Sequence, residues 1–138
     1  MAGELLLDTG ALISLRDRSQ QRHAAVSAYF RNWKDAVVTS EAVLTEATHL
    51  LGRVPGGRSA CLDFILRGGA TMVPSSRASL ERARELIMQY ADLPMDYADA
   101  TLVVLAEELG TNLILTTDRR DFEVYRLHGS RPFKVVPS

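Results

Sequence analysis

The chain is poor in several residue types, and each shortage excludes a class of protein. Its single cysteine, Cys61, rules out an intrachain disulfide and suits a reducing cytosol. That cysteine falls in an apolar helical pattern, which favours a buried structural thiol over a nucleophile. One cysteine and three scattered histidines in 138 residues provide no ligand set for zinc.

Long apolar runs and an excess of charge are also missing. No stretch of about 18 apolar residues occurs, so we expect no transmembrane helix. The first eight residues contain no long apolar region, so we expect no signal peptide and a cytoplasmic protein. The net charge of −1 argues against a polycationic coat for nucleic acid. Arginine nevertheless supplies 14 of the 16 basic residues, which permits a local basic surface.

Several catalytic motifs are absent as well. The sequence contains no glycine-rich dinucleotide or P-loop fingerprint and no G-x-S-x-G for a serine nucleophile. Asp8-Thr9-Gly10 lacks the second acid of an aspartyl-phosphate phosphatase. Glu46 and His49 form one E-x-x-H, but a di-iron bundle carries that motif on two helices. Acidic residues therefore remain as the candidates for catalysis.

Apolar periodicity predicts an α/β fold in one domain, residues 1–138. Short apolar segments at 4–7, 36–39, 70–73, 112–116 and 132–136 are typical of strands, and helical patterns occupy 11–15, 20–34, 41–51, 58–67, 75–90 and 96–109, with a turn or short helix at 119–126. This order predicts a central parallel sheet of about five strands with helices on both faces. We expect the first strand to be central and the last to be an edge strand, because Pro132 cannot donate to a ladder.

Four acids fall at strand ends and on helices next to them, where open α/β sheets bind ligands. They are Asp8, Glu46, Asp99 and Asp118. Each of two acids also has a purely structural interpretation. Asp8 could only cap the following helix, and Glu46 could be a rim residue beside the apolar face of its own helix. Carboxylates gathered closely would not all ionise unaided, and a hard divalent cation relieves their repulsion. Oxygen ligands select Mg²⁺, with Mn²⁺ as a substitute, and such an ion serves phosphodiester hydrolysis.

Four segments resemble the successive motifs of PIN-domain ribonucleases and are most similar to the toxins of VapBC toxin–antitoxin pairs. They are Asp8 to Leu12, Thr39 to Glu46, Asp96 to Ala100 and Thr116 to Phe122, in the family's order. The resemblance covers nearly the whole chain and implies a PIN-like domain with the four acids as its catalytic quartet. It also implies that Thr116 helps to order the metal or its water. Asp96 and Asp121 are further acids whose roles the pattern leaves open, and Gly10 stands where many relatives have serine.

The resemblance implies Mg²⁺-dependent endonucleolytic cleavage of RNA, homodimerisation, and inhibition by an antitoxin that inserts a basic segment into the acidic pocket. We expect Asp8 and Asp99 to be direct metal ligands. Glu46 and Asp118 would hold metal-bound waters, orient the attacking water or bind a second ion. The alternatives are a housekeeping nuclease for RNA maturation without an antitoxin and a non-catalytic PIN-like module that binds RNA or protein. Retention of all four acids favours an enzyme.

Cations at the rim of an acidic pocket would help it to accept a polyanion. Arg119 and Arg120 directly follow Asp118 and are candidates for contacts with RNA phosphates. A solvent-exposed surface turn is an equally good interpretation of this pair. Arg16 and Arg18, at the end of the first helix, are weaker candidates.

Overall fold

The computed structural model describes residues 3–138 and alternates strands with helices along most of its length. In chain order the elements are β1 (Leu5–Leu7), α1 (Thr9–Arg16), α2 (His23–Asn32), β2 (Val37–Ser40), α3 (Glu41–Leu50), a 3₁₀ turn (Leu51–Arg53), α4 (Gly57–Leu66), β3 (Thr71–Val73), α5 (Arg77–Gln89), α6 (Tyr97–Leu109), β4 (Leu113–Leu115), α7 (Arg119–Val124), β5 (Arg126–Leu127), β6 (Arg131–Pro132) and β7 (Lys134–Val136). This arrangement confirms the α/β prediction.

Five of the strands form one parallel sheet in the order β3-β2-β1-β4-β7. β1 pairs with β2 on one side and with β4 on the other, and every pairing in this sheet is parallel. The first strand is therefore central and the last lies at an edge, as predicted. Parallel pairing also brings the carboxyl ends of all five strands to the same edge of the sheet, which is where the candidate acids follow their strands.

The centre of the sheet is covered on both faces. Leu5, Leu6 and Leu7 of β1 are all fully buried. Because successive side chains of a strand point to opposite faces, burial of all three requires packing on each side. Helix α6 is also enclosed, since every residue from 98 to 106 is buried. Gly110 ends α6 at φ 71°, the left-handed conformation that the sequence predicts for this glycine.

A small antiparallel hairpin, β5–β6, was not expected from the sequence. His128 at φ 50° and Gly129 at φ 75° form its turn, and Pro132 pairs with Arg126 inside it. Pro132 is therefore in the hairpin and not in the edge strand β7, which begins at Lys134. The edge position of β7 was predicted correctly, but the argument from Pro132 was wrong.

The apolar pattern of residues 58–67 predicts that Cys61, Leu62, Ile65 and Leu66 face the core, and this face is partly wrong. In α4 the buried residues are Gly57, Cys61 and Phe64, whereas Leu62 is 46% exposed and Leu66 is 82% exposed. Neighbouring helical residues are rotated by about 100°, so a one-residue error in the buried stripe brings leucines to the surface. The buried, unpaired Cys61 confirms the interpretation of this residue as a structural thiol.

The polar first half of the helical pattern at 20–34 predicts that His23 is a solvated surface residue, but its ring connects two helices. Its Nδ1 lies 2.6 Å from the carbonyl oxygen of Ser14, so the ring links the start of α2 to α1. No helix within residues 3–138 combines the length and the apolar character needed to cross a membrane.

Candidate active site

Asp8 lies directly after the central strand, with only 4% of its surface exposed. Its N–H donates to the carbonyl oxygen of Leu115 at 3.1 Å, which continues the pairing of β1 with β4. Its carboxylate Oδ2 accepts a hydrogen bond of 2.6 Å from the Thr116 hydroxyl and makes no capping bond to α1. The alternative in which the Asp8 side chain merely caps α1 is therefore wrong for this structure.

Thr116 orders two acids at once. Besides donating to Asp8, its hydroxyl accepts a hydrogen bond of 2.8 Å from the N–H of Asp118. Thr116 is 1% exposed, so both bonds are sheltered from water. The residue that the resemblance assigns to ordering the metal thus positions the carboxylate of Asp8 and the turn that carries Asp118.

Asp99 occupies the first turn of α6 and is 8% exposed. The carboxylate of Asp96 caps this helix by accepting the N–H of Asp99 at 2.8 Å, which gives Asp96 a structural role. The hydroxyl of Tyr125 donates to Oδ2 of Asp99 at 3.0 Å. Tyr125 is buried and packs edge-to-face on Tyr90 and Phe122, so its hydroxyl fixes the position of the Asp99 carboxylate.

The sequence interpretation missed Tyr125. The sequence presents it only as an aromatic residue near Phe122, four residues after the last candidate acid, Asp121. A buried tyrosine needs a partner for its hydroxyl, and an excess of buried acids nearby is the one signal that could have identified it.

The acids raise one another's pKa values. Burial raises the pKa of Asp99 to about 8, and the charges of Asp8 and Asp96 add to this rise. Burial also raises the pKa of Asp8 to about 6 despite the hydrogen bond from Thr116, with contributions from the charges of Asp118 and Glu46.

The pKa of Asp118 is raised as well, first by burial and then by the side chain of Asp121. Within residues 3–138, no lysine, arginine or histidine forms an ion pair with any of the acids of this pocket. The pocket thus holds several carboxylates whose mutual repulsion no protein cation relieves.

Glu46 lies partly exposed on α3, close enough to Asp8 for its charge to contribute to the raised pKa of Asp8. It lines a surface groove together with His49, Asp96 and Tyr97. The start of α3 is fixed by Ser40, whose hydroxyl accepts the N–H of Val43 at 3.2 Å. The Ser40 hydroxyl also shares a buried hydrogen bond of 2.7 Å with the Thr101 hydroxyl of α6, which sets the helix of Glu46 against the helix of Asp99.

A divalent cation fits the donor chemistry of this pocket. Its ligands would be carboxylate oxygens, the type that Mg²⁺ and Mn²⁺ prefer. The hydroxyl of Thr9, next to Asp8, is buried and has no hydrogen-bond partner among residues 3–138. In the part of the chain that the structure describes, no three His, Cys, Asp or Glu side chains already converge as a metal-binding group. The acids are thus held near one another by Thr116 and Tyr125, but they do not form a closed cage.

The candidate rim arginines differ from one another. Arg119 donates to the carbonyl oxygen of Pro137 at 2.6 Å and pairs with Glu123 at 3.4 Å, so its guanidinium is engaged at the carboxyl-terminal strand. Arg120 is exposed and makes no hydrogen bond or ion pair within residues 3–138. Arg16 donates to the carbonyl oxygen of Ala60 at 3.0 Å, a structural contact, whereas Arg18 is exposed.

Comparison with known proteins agrees with this geometry. The PIN domain model matches residues 5–127. Ribonuclease VapC26 of Mycobacterium tuberculosis is 34% identical over 135 residues, covering 96% of this chain and 100% of the relative.

Three solved structures share the fold. Mycobacterium tuberculosis VapC20, described as a toxin that cleaves the sarcin–ricin loop, has a TM-score of 0.75 at 21% identity, covering 84% of this chain and 91% of that chain. A toxin–antitoxin complex from Klebsiella pneumoniae has a TM-score of 0.67 at 19% identity and covers 96% of both chains. VapBC2 from Rickettsia felis, bound to a DNA fragment from its promoter, has a TM-score of 0.68 at 13% identity, covering 97% and 99%. With the domain model and the VapC26 relative both matching almost end to end, the chain belongs to the PIN-domain family, among the VapC ribonucleases.

Proposed function

We propose that this chain is a Mg²⁺-dependent endoribonuclease, the toxin of a toxin–antitoxin pair, with Mn²⁺ able to replace Mg²⁺. One observation carries the proposal: two buried aspartates, Asp8 after the central strand and Asp99 at the start of α6, have raised pKa values and no cation paired with them within residues 3–138. Buried carboxylates without a positively charged partner destabilise a folded protein, so their presence close together indicates a functional site.

The four acids divide into two pairs by burial. Asp8 and Asp99 are almost fully buried and would hold the metal, whereas Glu46 and Asp118 are more accessible and would bind its waters or a second ion. When bound, Mg²⁺ supplies charge neutralisation at the phosphoryl oxygens and lowers the pKa of a coordinated water.

The surrounding residues orient these acids. Thr116 turns the Asp8 carboxylate through its 2.6 Å hydrogen bond, and Tyr125 does the same for Asp99 at 3.0 Å. In this proposal Glu46 and Asp118, which are more accessible, would orient the attacking water and accept its proton. RNA phosphates are repelled by the acids alone, so substrate binding depends on their neutralisation and on the rim cation Arg120.

An antitoxin partner follows from the same electrostatics. Carboxylates that attract Mg²⁺ also attract a guanidinium, so a partner that inserts arginine or lysine among Asp8, Asp99 and Asp118 would occupy the metal site and stop cleavage. The toxin–antitoxin complexes that share this fold support such a partner. We also propose that the chain forms a homodimer in the cytoplasm. The apolar side chains of Leu80, Ile87 and Met88 on α5 are exposed and could form part of the dimer interface.

The test compares the wild-type chain with Asp8→Asn, which keeps the shape of the side chain. We expect the purified wild type to cleave RNA internally in Mg²⁺ or Mn²⁺, and EDTA or Asp8→Asn to abolish cleavage. Cleavage that persists in EDTA would exclude the proposed metal dependence.

A growth assay separates the toxin from a housekeeping nuclease. We expect expression of the wild type to arrest bacterial growth, Asp8→Asn to be harmless, and co-expression of a neighbouring small gene to restore growth. Normal growth with active wild-type nuclease would favour the housekeeping alternative. Neither cleavage nor toxicity, with RNA binding retained, would favour the non-catalytic module.

A further inference from the structure

Gly10 and Thr117 share one small volume beside the acids. A Cβ atom placed on Gly10 would lie 2.1 Å from the Thr117 hydroxyl oxygen and 3.5 Å from the Thr117 Cβ. Such a separation is far below a van der Waals contact, so the hydroxyl occupies the space that a side chain at position 10 would fill. Thr117 is therefore seated directly over the first turn of α1.

The surroundings of this hydroxyl are rich in hydrogen-bond donors. Thr117 is partly buried, and its hydroxyl makes no hydrogen bond within residues 3–138. On the other side of Gly10 along the chain, the Thr9 hydroxyl is also without a partner in the described part of the chain, in a residue only 6% exposed. The first N–H groups of an α-helix have no partner inside the helix, and α1 begins at Thr9. The free Thr117 hydroxyl thus lies against Gly10, in the first turn of an eight-residue helix.

These donors complement the acids next to them. Asp8 precedes Thr9, and Asp118 follows Thr117, so the donor group directly adjoins the carboxylates. Ionised carboxylates only accept hydrogen bonds and repel a phosphate, whereas hydroxyls and helix-terminal N–H groups donate to one. A phosphodiester that reaches the acids would therefore meet its hydrogen-bond donors at Gly10 and Thr117.

We propose that the Thr117 hydroxyl, seated over Gly10, donates a hydrogen bond to a non-bridging oxygen of the scissile phosphate, together with the start of α1. Thr117 thereby supplies the polar side-chain contact that Gly10 cannot. This inference rests on the proposed nuclease function and adds a substrate-positioning residue to it.

The first test exchanges Thr117 for side chains of similar size. Thr117→Val removes the hydroxyl and keeps the branched shape, and we expect kcat/KM for RNA cleavage to fall roughly 10- to 100-fold, as loss of a hydrogen bond to a charged group does. Thr117→Ser returns the hydroxyl and is expected to stay within about threefold of wild type. Mn²⁺ affinity measured by calorimetry should be unchanged in both variants, because no metal ligand is removed. Thr71→Val, at an exposed position where β3 begins, is the matched control and should cleave like wild type.

The second test uses the space at Gly10. Gly10→Ala and Gly10→Ser introduce the same Cβ and displace the Thr117 hydroxyl equally, but only serine returns a hydroxyl to that place. We expect Gly10→Ala to lose as much activity as Thr117→Val, Gly10→Ser to retain most of it, and the Gly10→Ala/Thr117→Val double variant to lose no more than either single one.

The results of these tests distinguish a failure of the role of Thr117 from a failure of the proposed nuclease function. A wild-type chain without metal-dependent cleavage would overturn the proposed function and the role of Thr117 together. An active wild type with equally active Thr117→Val would overturn the role of Thr117 alone. The same conclusion would follow if Thr117→Val lowered activity only in proportion to a loss of Mn²⁺ affinity.

Discussion

Helix α6 carries two carboxylates with opposite electrostatic surroundings, one near each end. Near its end, the Glu107 side chain is 6% exposed and accepts two hydrogen bonds from Arg82, at 2.8 and 2.9 Å. A third, from the N–H of His128 at 2.7 Å, ties the β5–β6 hairpin to the same carboxylate. At the start of the helix, Asp99 is similarly buried but accepts one side-chain hydrogen bond, from Tyr125, and faces other acids.

The pKa values follow the partners and not the burial. Burial raises the pKa of Glu107, but the hydrogen bonds from Arg82 and His128 and the charge of Arg82 outweigh it, and the pKa falls below its usual value. Burial is the largest cause that raises the pKa of Asp99 to about 8, and the charges of Asp8 and Asp96 add to this rise instead of opposing it. Glu107 is thus a structural carboxylate that joins α5, α6 and the hairpin, whereas Asp99 is available to an incoming cation.

The largest expected effect comes from Asp99→Asn. We expect cleavage to fall by at least about 1,000-fold, because the proposed function makes Asp99 a direct ligand of the catalytic metal. The thermal unfolding midpoint of the metal-free protein at pH 8 should stay the same or rise, by about 3 °C at most, because like-charge repulsion is relieved. RNA cleavage assays and calorimetry give the two readouts. Asp121→Asn should cost much less activity, and equal losses at both positions would show that the acids are ranked wrongly.

Glu107→Gln should give the reverse pattern. Removing the charge leaves the partly buried Arg82 without its partner, which we expect to lower the free energy of unfolding by about 2 kcal/mol. Cleavage at a temperature where the variant is folded should stay within a few fold of wild type. Urea unfolding combined with an RNA cleavage assay measures both quantities. A variant that keeps full stability would contradict the structural role assigned to Glu107.

The pH dependence of stability distinguishes the same two carboxylates. Asp8 and Asp99 have pKa values of about 6 and about 8 in the folded protein, above the ordinary 3.8. Between pH 3.8 and pH 8 the folded protein therefore holds more protons than the unfolded chain. The stability that they contribute is present below pH 3.8 and is lost as the pH rises toward 8. We therefore expect the metal-free protein to lose stability over this range and Asp99→Asn to flatten the upper part of the loss. Glu107→Gln should leave that upper part unchanged, because the lowered pKa of Glu107 acts only at acidic pH.

The smallest expected effect concerns the rim. Arg120→Ala should weaken RNA binding a few fold and reduce the slope of log affinity against log salt by about 0.7, as loss of one phosphate contact does for single strands. Arg119→Ala should change that slope less, because its guanidinium is engaged with Pro137 and Glu123. RNA affinity measured across a salt series for both variants decides the matter. Parallel slopes with equal affinity for both would assign these arginines to a solvent-exposed turn.

The parts of this structure that the sequence predicts are those set by local chemistry. The buried strands, the Ser40 cap of α3 and the left-handed Gly110 each follow from residues within one turn or one strand. The placement of Asp8 and Asp118 at one sheet edge follows from parallel order, a general rule of α/β topology.

The contacts that sequence reasoning missed join residues far apart in the chain. Tyr125 reaches Asp99 across 26 residues, and Arg82 reaches Glu107 across 25. Which residues meet in this way depends on how the helices pack against one another, and the apolar periodicity of the sequence does not determine that packing. The face of α4 was wrong for a related reason, because Cys61-Leu62 and Ile65-Leu66 are adjacent apolar pairs that fit more than one stripe.

The hydrogen bond between Thr116 and Asp8 joins residues 108 positions apart, and this distance has a consequence for synthesis on the ribosome. A chain is made from its amino end, so Asp8 exists long before β4, Thr116 and Tyr125 have been added. Until then β1 lacks its neighbour β4, and both buried aspartates lack the hydroxyls that orient them. A nascent chain that stops before residue 125 therefore lacks at least one of the two hydroxyls that orient these aspartates, so the arrangement of Asp8 and Asp99 is completed only when Tyr125 has been added.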